Sequence, residues 1–203
     1  MKKLIVAMAL AVVLLASQAF GGGYGNMMLG AKAGLNIASI HGDDAEGWDS
    51  RVAFCGGVFT EFPINDMLSF APEVLYTMKG ATTNFDDVDV TWKLSYIEIP
   101  MLFKAAIPVS GVVKPLLFAG PEVAFKTSSK LEGESEGVSA EVEFENVKST
   151  DVGFIVGGGI GFPMMSRKAS VEVRYDLGLV NIIDVEDADV KTGVVSFLFG
   201  IAF

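Results

Sequence analysis

The last nine residues constrain the chain most. Val195, Phe197, Phe199, Ile201 and Phe203 alternate with Ser196, Leu198, Gly200 and Ala202. Successive side chains of a β-strand point to opposite faces, so one face here is large and apolar and the other mostly small. The two faces recur upstream. Val171, Val173, Tyr175 and Leu177 alternate with Ser170, Glu172, Arg174 and Asp176, and Leu29, Ala31, Ala33, Leu35 and Ile37 with Gly30, Lys32, Gly34, Asn36 and Ala38. Val152, Phe154, Val156, Ile160 and Phe162 are set against Asp151, Gly153, Ile155, Gly157, Gly159 and Gly161. A soluble barrel also alternates, but its outer face needs long polar side chains. A face of Gly, Ala and Ser with a few opposite charges suits a narrow lumen, and the large apolar face is then left for lipid.

The start of the chain agrees with export. Lys2 and Lys3, the uncharged run Leu4 to Ala16, and Ser17-Gln18-Ala19 have the three parts of a secretory signal, with cleavage expected after Ala19. No Cys follows the run, so no lipoprotein anchor is expected. The expected organisation is a signal peptide over 1–19 and one barrel domain over 20–203. No later segment reaches the ~20 uninterrupted apolar residues of a spanning helix. A membrane-embedded mature chain therefore has to be a closed β-barrel, the other structure that satisfies its own backbone in lipid.

The alternation predicts eight strands, at about 27–38, 51–62, 68–79, 91–107, 113–126, 151–162, 169–180 and 193–203. Short connections follow Phe62-Pro63, Ile107-Pro108 and Phe162-Pro163; long ones span 39–50, 80–90, 127–150 and 181–192. Proline lacks an N–H and naturally ends a ladder. Eight strands with this alternation put both termini at the short-turn end, as in an antiparallel up-and-down transmembrane barrel with short periplasmic turns and longer external loops. Most of the 25 Asp and Glu lie in the long connections: Asp43, Asp44, Glu46 and Asp49; Asp86, Asp87 and Asp89; Glu132, Glu134, Glu136, Glu141, Glu143 and Glu145; Asp184, Glu186, Asp187 and Asp189. The third alternates Val138, Ala140, Val142 and Phe144 with Ser139, Glu141, Glu143 and Glu145, so a strand protruding above the membrane is expected there, either as a pairing edge or as a hairpin that contacts nothing.

Inside the lumen, Lys32, Glu61, Glu73, Glu98, Lys104, Lys114, Glu122, Glu172 and Arg174 have to pair, because lone buried charges are very costly. Phe62, Phe70, Phe162 and Phe203 fall on the apolar face near the short turns and Tyr76, Phe125 and Tyr175 near the loops, as two aromatic girdles would. Pro100 and Pro121 lie mid-strand, where a bulge or register shift is expected. Cys55 reads as a lumen packing residue. A single cysteine allows no intrachain disulfide and no cysteine-rich metal site.

Six blocks in order, Gly30-Ala31-Lys32-Ala33-Gly34-Leu35-Asn36, Gly57-Val58-Phe59-Thr60-Glu61-Phe62-Pro63, Pro72-Glu73-Val74-Leu75-Tyr76, Tyr96-Ile97-Glu98-Ile99-Pro100, Phe118-Ala119-Gly120-Pro121 and Arg174-Tyr175-Asp176-Leu177-Gly178-Leu179, resemble the PorT-type outer-membrane β-barrel family of Bacteroidetes-like bacteria. The resemblance covers nearly the whole mature chain. It implies an eight-stranded outer-membrane barrel of a Gram-negative cell envelope, in which Pro100 and Pro121 are ordinary. The family's namesake serves a secretion and gliding system. No site residue carries over.

The net charge of −10 excludes a nucleic-acid role, which needs a basic face. No catalytic, cofactor-binding or metal-ligating residue is assigned, and no cofactor is expected. The run Asp184-Val185-Glu186-Asp187-Ala188-Asp189 is rich in oxygen ligands but lacks the spacing and glycine of an EF-hand loop. The reading is a non-enzymatic structural or surface-interaction barrel, possible accessory to a secretion or envelope complex, with both termini periplasmic. Its expected partners are outer-membrane lipids and lipopolysaccharide, the barrel assembly machinery through the strand ending at Phe203, and a surface or envelope protein. With Phe203 last, no peptidoglycan-binding domain is expected. Two alternatives stand beside it: a lipid A-modifying enzyme using His41, the only histidine, near Ser39, Asp43 and Asp44; and a soluble periplasmic lipocalin-like carrier.

Overall fold

The computed structural model describes residues 27–203 except 43, 44, 46, 86, 87, 136, 137, 145 and 185–189. The expected signal peptide over 1–19 lies outside the described residues, as do ten of the loop acids, among them Asp43, Asp44, Glu136 and Asp187. Nine strands follow in order: β1 Met28–His41, β2 Asp49–Pro63, β3 Leu68–Phe85, β4 Val88–Ala106, β5 Lys114–Ser135, β6 Val138–Glu143, β7 Thr150–Met164, β8 Arg167–Gly178 and β9 Lys191–Ala202. Eight of them form the ring β1-β2-β3-β4-β5-β7-β8-β9, every neighbouring pair antiparallel and β9 returning to β1. The ninth, β6, pairs only with the upper part of β5. The fold is an eight-stranded antiparallel β-barrel with one added strand at the loop end.

Carrying the pairing register once around the ring leads from Leu29 to Ser39 of the same strand, a stagger of ten residues. Such a stagger in eight strands goes with a tilt of ~35–45° and leaves room inside only for side chains. Strand lengths of 12 to 22 residues exceed the ~9–11 that cross the hydrocarbon. The surplus lies at the loop end. There the expected long connection at 80–90 is instead a hairpin, because β3 runs on to Phe85 and β4 begins at Val88. The alternation predicted in the third connection forms β6.

The faces sort as the alternation predicts. Leu35 is 55% exposed, Phe103 50%, Leu117 55%, Val156 52% and Phe197 49%, whereas Lys32, Glu73, Glu98, Glu122, Glu172 and Arg174 are buried. This is the reverse of a soluble barrel, whose large apolar side chains fill the centre, and it removes the lipocalin-like reading. Tyr76 and Tyr175 are exposed near the loops and Phe203 near the short turns. Phe62 is covered at 6% exposure, so it adds little to the lower girdle.

Pro100 and Pro121 do not shift the register. Pro100 pairs with Glu122, and Pro121 with Phe154, in step with the residues on either side. The shifts lie instead between Ser50 and Cys55 of β2 and at Ser95/Tyr96 of β4. A proline removes one hydrogen bond, and only an extra residue displaces a ladder.

Inward-facing glycines make room for rings. A Cβ on Gly30 would lie 2.3 Å from the Phe59 ring, and one on Gly157 would lie 2.5 Å from the Phe118 ring. Gly30→Val is expected to destabilise the barrel by about 1–3 kcal/mol through overpacking. The check is the urea midpoint of the barrel in lipid vesicles; an unchanged midpoint would show that the ring can move aside.

Candidate functional site

The lumen holds two ionic clusters. The lower, nearer the short turns, spans the ring. Lys32 Nζ of β1 donates to Glu73 Oε1 of β3 at 2.5 Å and to Glu172 Oε2 of β8 at 2.8 Å. Arg174 Nη1 donates to Glu73 Oε2 at 2.9 Å, and Lys104 Nζ of β4 to Glu172 Oε1 at 3.0 Å. Glu61 Oε2 lies 3.9 Å from Lys104 and its other oxygen accepts from Ser69 at 2.8 Å. The Phe59 ring sits under both ammonium groups, 4.9 Å from Lys32 and 5.7 Å from Lys104. Three cations therefore face three carboxylates. The ion pairs join strands that are not neighbours, so they brace the ring across its interior.

The upper cluster centres on Lys79 of β3. Its ammonium lies 2.8 Å from Glu98 of β4, 3.4 Å from Glu122 of β5 and 2.5 Å from Asp176 of β8. Asp151 of β7 accepts from Thr192 at 3.1 Å. The pairing prediction holds for Lys32, Glu61, Glu73, Glu98, Lys104, Glu122, Glu172 and Arg174. It fails for Lys114, which is exposed at the short-turn rim, where β5 begins and solvent reaches the side chain. Lys79, Asp151 and Asp176 were missed as members of the network, although Lys79 shares its face with Glu73 and Thr77 at period two. Cys55 is fully buried, as expected of a packing residue.

Above this cluster the connections fold over the barrel. Ile40, Ala45, Trp92, Val147, Ile182 and Val190 form a buried apolar group with Tyr96. Trp92 stacks at a tilt on Trp48 (6.1 Å between centroids) and meets Phe144 edge-on (5.6 Å). Lys148 N donates to Ile182 O at 2.7 Å, Ile182 N to Val190 O at 2.9 Å, and Lys126 Nζ to Val147 O. The two ionic clusters and a small apolar group of Ala71, Leu102, Phe118 and Ile155 thus share the lumen, and a second apolar group caps it. At the other end a cavity of about 440 Å³ opens between Phe59, Lys104, Leu116, Phe162 and Ser170.

His41 ends β1, half-buried, and pairs in register with Lys191 of β9. Ser39 Oγ donates to the Gly193 carbonyl at 3.1 Å, which commits it to the backbone. Asp43 and Asp44 lie outside the described residues. The described residues assemble no nucleophile and base around His41.

The protruding sheet is built from β3, β4, β5 and β6. Asp89 pairs with Glu134 and Trp92 with Leu131 on one side of β5, and Lys130 pairs with Glu143 on the other. Two ion pairs cross it, Lys93 with Glu132 and Lys130 Nζ with Glu141 Oε1 at 2.5 Å. The outer edge of β6 has no ladder partner among the described residues.

A closed ring, an apolar outer belt and an ionic lumen define an integral outer-membrane β-barrel. The chain belongs to the family described as outer membrane protein beta-barrel domain, whose model matches residues 17–184. Among solved structures it is similar to Neisserial surface protein A (NspA), with TM-score 0.52 and 18% identity over 86% of this chain and 97% of that one. It is more loosely similar to Ail, the attachment invasion locus protein of Yersinia pestis, with TM-score 0.43 and 12% identity over 87% of this chain and 99% of that one. At these identities the likeness concerns the fold alone, and the second is too loose to carry an argument. No curated protein matches the chain.

Two outcomes follow. Glu73→Gln leaves Lys32 and Arg174 short of a buried counter-charge and is expected to cost about 3–5 kcal/mol, whereas Lys93→Ala, at a half-buried pair on the protruding sheet, should cost ~1 kcal/mol or less. Urea unfolding in vesicles, followed by tryptophan fluorescence, separates the two. In the protruding hairpin, the hydrogen bond from Lys130 holds Glu141 below the ordinary carboxylate range, and the same bond holds Lys130 above its own. A lowered carboxylate stabilises the fold above its unfolded value, and that contribution is lost as pH falls through the lowered value. The raised Lys130 contributes at lower pH and is lost as pH rises through its raised value. Titrating the Glu141 side-chain carbon by NMR should show its midpoint rising toward the ordinary carboxylate range in Lys130→Ala.

Proposed function

We propose that the protein is a non-enzymatic surface-interaction barrel, with its short turns and both termini in the periplasm and its acidic loop end outside. One observation carries the reading: a sheet of four strands rises above the apolar belt and ends in β6, whose outer edge is unpaired among the described residues. An open edge offers backbone donors and acceptors to an incoming strand. Glu132, Glu134, Glu141 and Glu143 surround it, which favours a partner with basic side chains beside its pairing strand. The filled and capped lumen supports this over a general pore.

The resemblance to PorT-type barrels supports a finer form, an accessory to a secretion or envelope complex. The strand ending at Phe203 is the expected signal for the barrel assembly machinery, and lipid and lipopolysaccharide are the expected surroundings of the belt. A photo-crosslinking residue at Ser139 or Val142, in intact cells, should yield an adduct with an envelope or surface protein. Ser139→Pro, which removes an N–H from the open side of β6, should abolish the Val142 adduct. Equal Val142 adducts from Ser139→Pro and the unaltered barrel would refute edge pairing. A lipid A mass spectrum altered by His41→Ala would replace the reading with the enzyme.

A further inference from the structure

The upper half of the lumen holds more acids than cations. Glu98, Glu122, Asp151 and Asp176 are each at most 3% exposed, and the ammonium set among them is that of Lys79. The lower cluster, by contrast, is matched three to three. Arg51 is half-buried nearby and gives its guanidinium to the Lys79 carbonyl at 3.1 Å rather than to an acid.

Lys79 approaches one oxygen on each of three acids: Glu98 Oε1, Glu122 Oε1 and Asp176 Oδ2. Thr77 serves Glu98 Oε2 at 2.8 Å, and Thr192 serves Asp151 Oδ2. Glu122 Oε2, Asp176 Oδ1 and Asp151 Oδ1 are buried and accept no hydrogen bond among the described residues. The hydroxyl of Tyr96, a residue with no exposed surface, is likewise unpartnered. It points into the field of Asp151, Lys79 and Glu98, and the Tyr96 ring centroid is 5.8 Å from Lys79 Nζ. One carboxylate oxygen from each of Glu98, Glu122 and Asp176 lies within 4.8 Å of the other two. The barrel wall gives way at this level: a Cβ on Gly153 would stand 2.9 Å from both Asp176 Oδ1 and Glu122 Oε1.

We propose that this group of oxygens binds one hard divalent cation of the calcium class beside Lys79, through Glu98, Glu122 and Asp176, with Asp151 and the Tyr96 hydroxyl around it. The donors are all oxygen, which selects hard ions over zinc or copper. Magnesium demands a near-ideal octahedron and gives up its waters reluctantly, whereas calcium accepts carboxylates in loose geometry, so a buried site walled by protein favours calcium. Two added charges leave four acids facing a total of three positive charges. The apolar cap above the site makes exchange slow. The site lies inside the barrel and is independent of the surface role.

The test uses the full mature barrel, purified in detergent from outer membranes grown with calcium and then dialysed against a chelator. It should retain close to one calcium per chain by elemental analysis and release it on unfolding in urea. Terbium offered during refolding should emit on excitation of the adjacent Tyr96 and Trp92, and calcium should compete. Losing a supporting group at a metal site commonly weakens binding ~10–100-fold, so Glu122→Gln and Asp176→Asn, each losing a ligand, should weaken it at least as much. The loop control Glu132→Gln with Glu141→Gln should bind as before. No retained calcium in the unaltered barrel overturns the proposal, whether or not the lumen variants fold. Retention that survives both lumen variants, or that disappears in the loop control, overturns it equally.

Discussion

A strand in hydrocarbon has no water for its N–H and C=O groups, so every one of them has to find a neighbouring strand. In this barrel the requirement is met by the pairing of β9 with β1, from Gly30 opposite Ala202 to His41 opposite Lys191. Closure brings the rest with it. Once the ring is shut with a stagger of ten residues, the interior is narrow. Only glycine can stand opposite Phe59 and Phe118, and the interior has room for only a few large apolar side chains, so the others turn outward.

The narrow interior also explains why the lumen is ionic. Charged side chains placed inside eight strands are out of water whether or not lipid is near, so they persist only in company. In the lower cluster each carboxylate takes two contacts and each cation at least one, on strands that do not touch through their backbones. The ladder holds adjacent strands together, and these pairs hold opposite walls at a set separation. The upper cluster follows the same plan but sets one cation, Lys79, among four acids, which is why its chemistry differs.

The loop end shows how far a barrel can depart from a bare ring. β3, β4 and β5 continue past the belt, β6 joins them, and the remaining connections turn inward over Trp92. One set of extensions is displayed and the other seals. The displayed set is amphipathic and acidic, with the outer edge of β6 unpaired among the described residues, and the sealing set is apolar.

Much of this was legible in the residues alone, because period-two alternation is a local property. Strand number, the sorting of faces, the short turns at Pro63, Pro108 and Pro163, the protruding third connection and most members of the lumen network follow from which residue stands two places along. What was not legible depends on which strands face one another across the ring and at what stagger. Alternation puts Lys79 and Asp176 inside, but only the stagger brings one to 2.5 Å from the other across 97 residues of chain. It says that Lys114 shares a face with the lumen, but not that its level lies at the open rim. It flags Pro100 and Pro121, yet the ladder absorbs both and shifts at Ser95/Tyr96 instead, since register is a property of two strands together. The sequence by itself determined an apolar-out barrel with charges inside; the tertiary structure decided which charges meet, because contact across a closed ring depends on stagger and tilt, which no single strand encodes.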